Sequence, residues 1–232
     1  MNKSEKNSEK KMEEKMKNLF FIITVLVLIA GCTKEPINFD KLQVRNELVY
    51  EVGSSIPYSG KTVESYENEQ KMEEKNWKEG KQNGIQIRWY KNGQKMWEDT
   101  YKDGIIDGKQ TTWYENGQTE SEITFIAGNR DGRQTEWYQN GQMKKDGAWK
   151  DGQQDGKWIE WWEKGFQKIE ETWKNGTKDG LMIKWHSNGK KRLEGIIKND
   201  VSDGKWTYWN RKEIKYEERT FKDGKQIDII KY

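Results

Sequence analysis

Carboxylates recur on a fixed spacing in this chain. Glu74, Glu98, Glu122, Asp146, Glu170, Glu194 and Glu218 stand 24 residues apart. Paired carboxylates can work as general acid and base, so their separation is the first test. If 24 residues make one antiparallel hairpin, equivalent strands lie two apart and neighbouring carboxylates stand roughly 9.5 Å apart. That exceeds the separation of a retaining glycosidase and sits near the upper limit for an inverting one. A catalytic pair also needs two different environments, and a repeat supplies a single environment many times. A companion column of lysines (Lys78, Lys102, Lys150, Lys174, Lys198, Lys222) points instead to an ion-pair ladder that sets register and solubility. The single histidine, His186, stands where other units carry Tyr or Trp, so it reads as a structural replacement. With one His and one Cys, neither a nucleophile–base pair nor a histidine metal site is expected. The glycines belong to turns, not to a phosphate-binding loop. We therefore expect no enzyme, no metal and no cofactor.

The element that positions these columns is a tandem repeat. Glycine recurs at Gly60, Gly84, Gly108, Gly132, Gly156, Gly180 and Gly204, each 24 residues after the last. Counting from that glycine, column 5 is Trp in every unit but the first: Trp89, Trp113, Trp137, Trp161, Trp185 and Trp209. Asn-Gly follows at Asn92-Gly93, Asn116-Gly117, Asn140-Gly141 and Asn188-Gly189, and supplies the positive φ of a tight hairpin turn. The returning strand ends at column 17 on Trp77, Tyr101, Phe125, Trp149, Trp173, Ile197 or Phe221. A second turn of the Lys-Asp-Gly type leads to the next unit. The expected fold is all-β: one elongated antiparallel meander of tandem 24-residue hairpins, roughly 65 Å long at ~4.8 Å per strand. Its core is expected from the column 5 tryptophans and column 3, joined by Trp97, Ile169 or Leu193 and the terminal aromatic of the returning strand. Capping strands are expected near Val49-Tyr50 and at Ile227-Asp228-Ile229-Ile230, where Asp228 replaces an eighth glycine.

Column 6 is the best candidate binding surface. Tyr90, Tyr114, Tyr138, Trp162 and His186 are expected on the face opposite the core tryptophans. A row of exposed aromatics suits sugar rings, a peptide or a partner sheet. The alternative is that a second structural face or a dimer buries these rings.

Composition bounds the reading further. Hydrophobic residues are 32% and charged residues 35%, a balance that leans toward disorder, but 13 Trp, 10 Tyr and 6 Phe fall in register with the repeat. A repeat protein also needs no single thick core, since each unit packs on its neighbours. The 42 basic and 39 acidic residues are interleaved, which argues against a nucleic-acid partner.

The N-terminus reads as an export signal. Lys15-Met16-Lys17-Asn18 precedes an apolar run from Leu19 to Ala30, too short at roughly 18 Å to cross a ~30 Å hydrocarbon core. Ile29-Ala30-Gly31-Cys32 resembles the lipobox of bacterial lipoproteins at all four positions, and Cys32 is the only cysteine. That resemblance implies cleavage before Cys32, lipid on that residue and a membrane anchor facing the bacterial cell envelope outside the cytoplasm. Met16 reads as the true start. The expected organisation is 1–31 polar extension and signal peptide, 32–47 lipidated cysteine and tether, and 48–232 repeat domain.

WYKNGQ, WYENGQ and WYQNGQ, followed by a strand that carries Glu (Asp in the third), an aromatic and usually Lys-Asp-Gly, resemble the MORN-repeat variant (membrane occupation and recognition nexus) of YwqK-like bacterial proteins. The likeness runs from about Leu48 to the C-terminus, with units one, six and seven departing most. It implies elongated antiparallel sheets. It also implies scaffolding, membrane association or an antitoxin-like neutralising role toward a protein partner. The expected function is thus a non-enzymatic, lipid-anchored, protein-binding repeat protein. The alternative is a cell-wall or glycan binder using the column 6 aromatics.

Overall fold

A computed structural model describes residues 35–232; Cys32 and the export signal lie outside the described residues. Residues Ile37–Tyr232 form one compact unit. Seventeen strands from Gly60 to Lys231 make a single antiparallel meander. A typical repeat pairs an outgoing strand, Gly108–Trp113, with a returning strand, Thr119–Ile126. In the second and third units a separate two-residue strand, Lys81–Gln82 or Ile105–Ile106, precedes the outgoing one; from Asn129–Trp137 onward the two merge. Strand order alone would permit a closed ring. The residue pairs do not close it: Lys225–Lys231 pairs only with Lys215–Lys222 and is exposed along its whole length.

Two turns with different physics alternate. The second turn follows the expected chemistry. Asp103 (φ 51°) and Gly104 (φ 87°) are both left-handed, as a two-residue type I′ turn requires, and each unit repeats this through pairs such as Asp151-Gly152 and Asn175-Gly176. The Asn-Gly turn is different. Gly93 takes φ 83°, but Asn92 is not left-handed. The Tyr90 N–H donates to the Gln94 carbonyl at 2.8 Å, so three residues are looped out, with Gly93 alone left-handed. The asparagine instead serves through its side chain. Asn92 Oδ1 accepts from the Gln94 N–H (2.9 Å), and its Nδ2 donates to the Glu115 carbonyl of the next unit (2.8 Å).

The strand faces also divide differently from expectation. Column 3 pairs with column 14, as in Ile87↔Glu98, and column 2 with column 15, as in Gln86↔Asp99. Directly paired residues share a face. The odd columns of the outgoing strand therefore sit with the Glu ladder, while Trp97 and the column 17 aromatics lie on the other face with column 2. The apolar residues are split between two faces. Within the repeats the buried hydrophobic side chains are Trp158, Met182 and Trp206 of column 2 with Ile123 and Ile197, not the column 5 tryptophans, all six of which are half-buried.

Both ends differ from the simple repeat. The segment expected as a tether is structured from Ile37: a 3-10 turn at Phe39–Lys41 leads into a hairpin of Leu42–Arg45 and Leu48–Glu51. Phe39 stacks on Trp77 at 6.1 Å, which gives this polar stretch an apolar anchor. The hairpin and the segment that follows it lock onto the first type I′ turn through Val49 N–H to the Gly80 carbonyl (3.0 Å) and Gly80 N–H to the Tyr58 carbonyl (2.8 Å). At the other end, Asp228 lacks the left-handed glycine conformation, and the register slips by one residue. Ile230 pairs with Glu218 in the place of column 3, and Lys215 Nζ sits 3.9 Å over the Tyr232 ring, as Lys191 does over Trp209 at 5.3 Å.

Candidate functional site

The column 6 aromatics are joined to the neighbouring repeat. The hydroxyl of Tyr66 donates to the Trp89 carbonyl (2.7 Å), Tyr90 to Trp113 (2.8 Å), Tyr114 to Trp137 (2.7 Å) and Tyr138 to Trp161 (2.7 Å). His186 Nε2 lies 3.0 Å from the Trp209 carbonyl and keeps the same rung, which explains a histidine in an aromatic column. Trp162 cannot: its Nε1 is buried without a protein acceptor. Tyr90, Tyr114, Tyr138, Trp162 and His186 are half-buried, not open, and all of these rings but Trp162 reach across to the following unit to make this bond. Burial, reinforced by the charge of Glu120, raises the hydroxyl pKa of Tyr90 and Tyr114, so both remain donors at any physiological pH.

The face carrying the Glu ladder is a lattice of charge and indole. Its cations come from columns 1 and 11, not from the column 18 lysines, which are exposed and take part in none of the described ion pairs. Glu74 bonds Lys61 (3.0 Å) and Lys71 (2.8 Å), Asp146 bonds Arg133 (2.6 Å), and Glu170 bonds Lys157 (2.8 Å). The physical reason is distance along the strand: columns 1 and 11 lie beside column 14 on its face, whereas column 18 lies beyond it at the turn. The column 11 lysines also reach over the next tryptophan, Lys71 over Trp89 at 5.6 Å and Lys95 over Trp113 at 5.4 Å. Glu218 shows the combined effect. Hydrogen bonds from Lys205 and then Tyr232 hold its carboxyl at about 2, well below the usual range. Where the ladder passes between the third and fourth units, a groove of about 280 Å³ opens beside Trp137 and Met143. Met143 is 42% exposed there.

The opposite face changes character along the chain. In the first units it is polar and buried. Glu73 is only 4% exposed and accepts from Arg88 (2.9 Å) and Gln86 (3.0 Å). Burial alone would raise its pKa, but the Lys75 hydrogen bond and charge, with Arg88 and Gln86, hold it below the usual value. Asp99, 5% exposed, has no cation among its hydrogen-bond partners; burial pushes its pKa up although Gln110 donates to it at 2.8 Å. From the fifth unit this face becomes apolar, with Met182, Ile197 and Trp206 packed against Leu193, Tyr208 and Phe221. Here two glycines matter that sequence reading passed over. Gly147 and Gly195, both in column 15, lie beneath the Trp158 and Trp206 rings, and a Cβ at either would overlap the indole. The signal was present: glycine stands in column 15 only where the next column 2 residue is Trp.

Among the described residues no group of three or more His, Cys, Asp or Glu is placed to hold a metal ion. No helix of the described residues is long and apolar enough to cross a membrane. No curated protein matches the chain. The family model described as MORN repeat variant matches three tandem stretches, residues 82–103, 106–127 and 130–151. Each covers the end of one repeat's lead-in, its Asn-Gly hairpin and the following type I′ turn. The hydroxyl rung, the asparagine bridge and the type I′ turn recur outside those stretches, at Tyr66, Asn188 and Asn175-Gly176. Residues 82–151 are thus MORN-repeat-variant units, and the chain's 24-residue unit continues on both sides of them.

Proposed function

We propose that this chain is a non-enzymatic scaffold, held at a membrane by lipid on Cys32, that engages a protein partner through its Glu-ladder face. The observation that supports this reading most directly is the half-buried tryptophan column itself. Six indoles recur on one sheet face, flanked by alternating lysine and glutamate, and beside Trp137 a groove opens next to the exposed Met143. Tryptophan with an adaptable methionine and a charged rim is the composition of a protein-binding hot spot. MORN repeats, as a class, are binding repeats, and a rigid row of identical units offers a partner several equivalent contacts. The carboxylates of the ladder are already matched to lysine or arginine, which leaves them a positioning role. A structural or an antitoxin-like neutralising partner would use the same surface. The glycan alternative gains no support from column 6 as folded, since four of its tyrosine hydroxyls are committed to backbone carbonyls.

Two measurements test this. A photocrosslinking residue at Met143, on the ladder face, should capture one discrete partner in native membranes, while the same residue at Lys144, on the opposite face, should not. Equal capture at both, or none at Met143, rejects the surface. Separately, Cys32→Ser should move the protein from the membrane to the soluble fraction; unchanged fractionation rejects the anchor.

A further inference from the structure

The fifth unit, Gly156 to Asp179, breaks the repeat's own rules. In column 17, Trp77 Nε1 donates to Thr62 of column 2 (2.9 Å), and Trp149 Nε1 donates to Gln134 of column 2 (2.6 Å). In the fifth unit column 2 is Trp158, which offers no acceptor, and Trp173 Nε1 is buried without a protein partner. A buried donor left unpaired costs about 1–3 kcal/mol, and places where a sequence violates its own pattern are where function is expected. The same unit opens a cavity of about 160 Å³ lined by Trp158, Glu160, Ile169, Glu171 and Trp173, with Lys145 and the amide of Gln154 from the preceding unit.

The lining defines the ligand. Glu171 is bound by Lys178 (2.8 Å), and Glu160 by Lys168 (3.2 Å) with Lys145 at 3.8 Å. Three lysines meet two carboxylates, and the third, Lys145, also lies over the Trp158 ring at 4.9 Å, so no carboxylate of the wall is left unpaired to hold a cation. Each carboxylate keeps acceptor capacity beyond its lysine. The apolar wall is two indoles and an isoleucine. A fitting ligand carries a strong acceptor for the indole N–H, donors for two carboxylates and an apolar flank for the rings. An amide carbonyl with its methyl group on a hydroxylated ring meets all of these.

We propose that this cavity binds an acetamido sugar, an N-acetylhexosamine unit of a glycan. The acetamido carbonyl accepts from Trp173 Nε1, the amide N–H and ring hydroxyls donate to Glu160 and Glu171, and the methyl group lies against the indoles. A second cavity of about 310 Å³, lined by polar groups including Gln110, Ser121, Gln134 and Glu136, lies on the same face in the preceding units and offers room for further sugar residues. The site is on the face opposite the proposed protein-binding surface and does not rest on it.

The test is isothermal titration of the purified chain with tri-N-acetylchitotriose, using maltotriose as the sugar without acetamido groups. Saturable binding of the acetylated trimer is expected, at least tenfold tighter than maltotriose. Trp173→Phe keeps the ring and removes the donor, and should weaken binding about tenfold, the order of a lost hydrogen bond. Trp77→Phe makes the same change in the same column away from the cavity and should leave binding unchanged. No saturation up to millimolar trimer, equal affinity for maltotriose, or equal effects of the two substitutions would overturn the assignment.

Discussion

Gly195→Ala probes the packing that the repeat alone does not specify. Gly195 is not in the left-handed region, so alanine meets no backbone penalty there, and in a strand interior it would ordinarily gain about 0.5–1 kcal/mol. The obstacle is Trp206. A Cβ on residue 195 would lie 2.6 Å from its Cγ and closer still to the ring-fusion atoms. The indole cannot easily withdraw. It is 5% exposed, its Nε1 donates to the Ile196 carbonyl at 3.2 Å, and Phe221 meets it edge-on at 6.2 Å. Overpacking of this kind costs about 1–3 kcal/mol, and expulsion of a core aromatic about 3–5 kcal/mol. The expected net loss is therefore about 1–3 kcal/mol, read by urea denaturation. Hydrogen exchange should place it in Thr177–Lys222, because repeats couple chiefly to their neighbours. The third-to-fourth-unit contact gives the compensating pair, since Ile123 faces Gln134 in the same columns. Gly195→Ile with Trp206→Gln should be less destabilised than the sum of the two single variants by at least ~1 kcal/mol. A Gly195→Ala protein within ~0.5 kcal/mol of wild type would refute the reasoning.

Other outcomes follow from the same geometry. Tyr114→Phe removes the 2.7 Å bond to the Trp137 carbonyl and should cost about 0.5–1.5 kcal/mol in chemical denaturation, with faster amide exchange confined to the third and fourth units. Trp162→Tyr should do the opposite, replacing a buried orphan donor with a hydroxyl able to complete the rung, for a gain of about 1 kcal/mol. Asp99 has a raised folded pKa, so the stability it contributes is complete below its unfolded pKa and is lost as pH rises through the folded value; Asp99→Asn should be more stable than wild type at pH 7, and the difference should vanish in acid melts. Glu218 has the reverse sign. Its folded pKa of about 2 stabilises the protein above pH 4.5 and that support is lost as pH falls toward 2, so Glu218→Gln should flatten this part of the stability–pH curve.

The constant 24-residue step, the turn glycines and the alternating aromatics determined by themselves that this chain is an antiparallel meander of hairpins. Turn chemistry and period are local properties, and they act the same way in every unit. The sequence also exposed the carboxylate ladder, because a repeat prints its columns. It did not settle which columns meet. That depends on the register across the turn, where looping out three residues rather than two pairs column 3 with column 14 and divides the apolar residues between two faces. Nor did it show that tyrosine hydroxyls and asparagine amides bridge successive units, since those bonds span 23 residues. The type and spacing of Trp158 and Trp173 were legible from the start. Only the folded sheet placed them around one cavity with an unpaired indole N–H, because cross-strand packing, not sequence order, decides what a side chain faces.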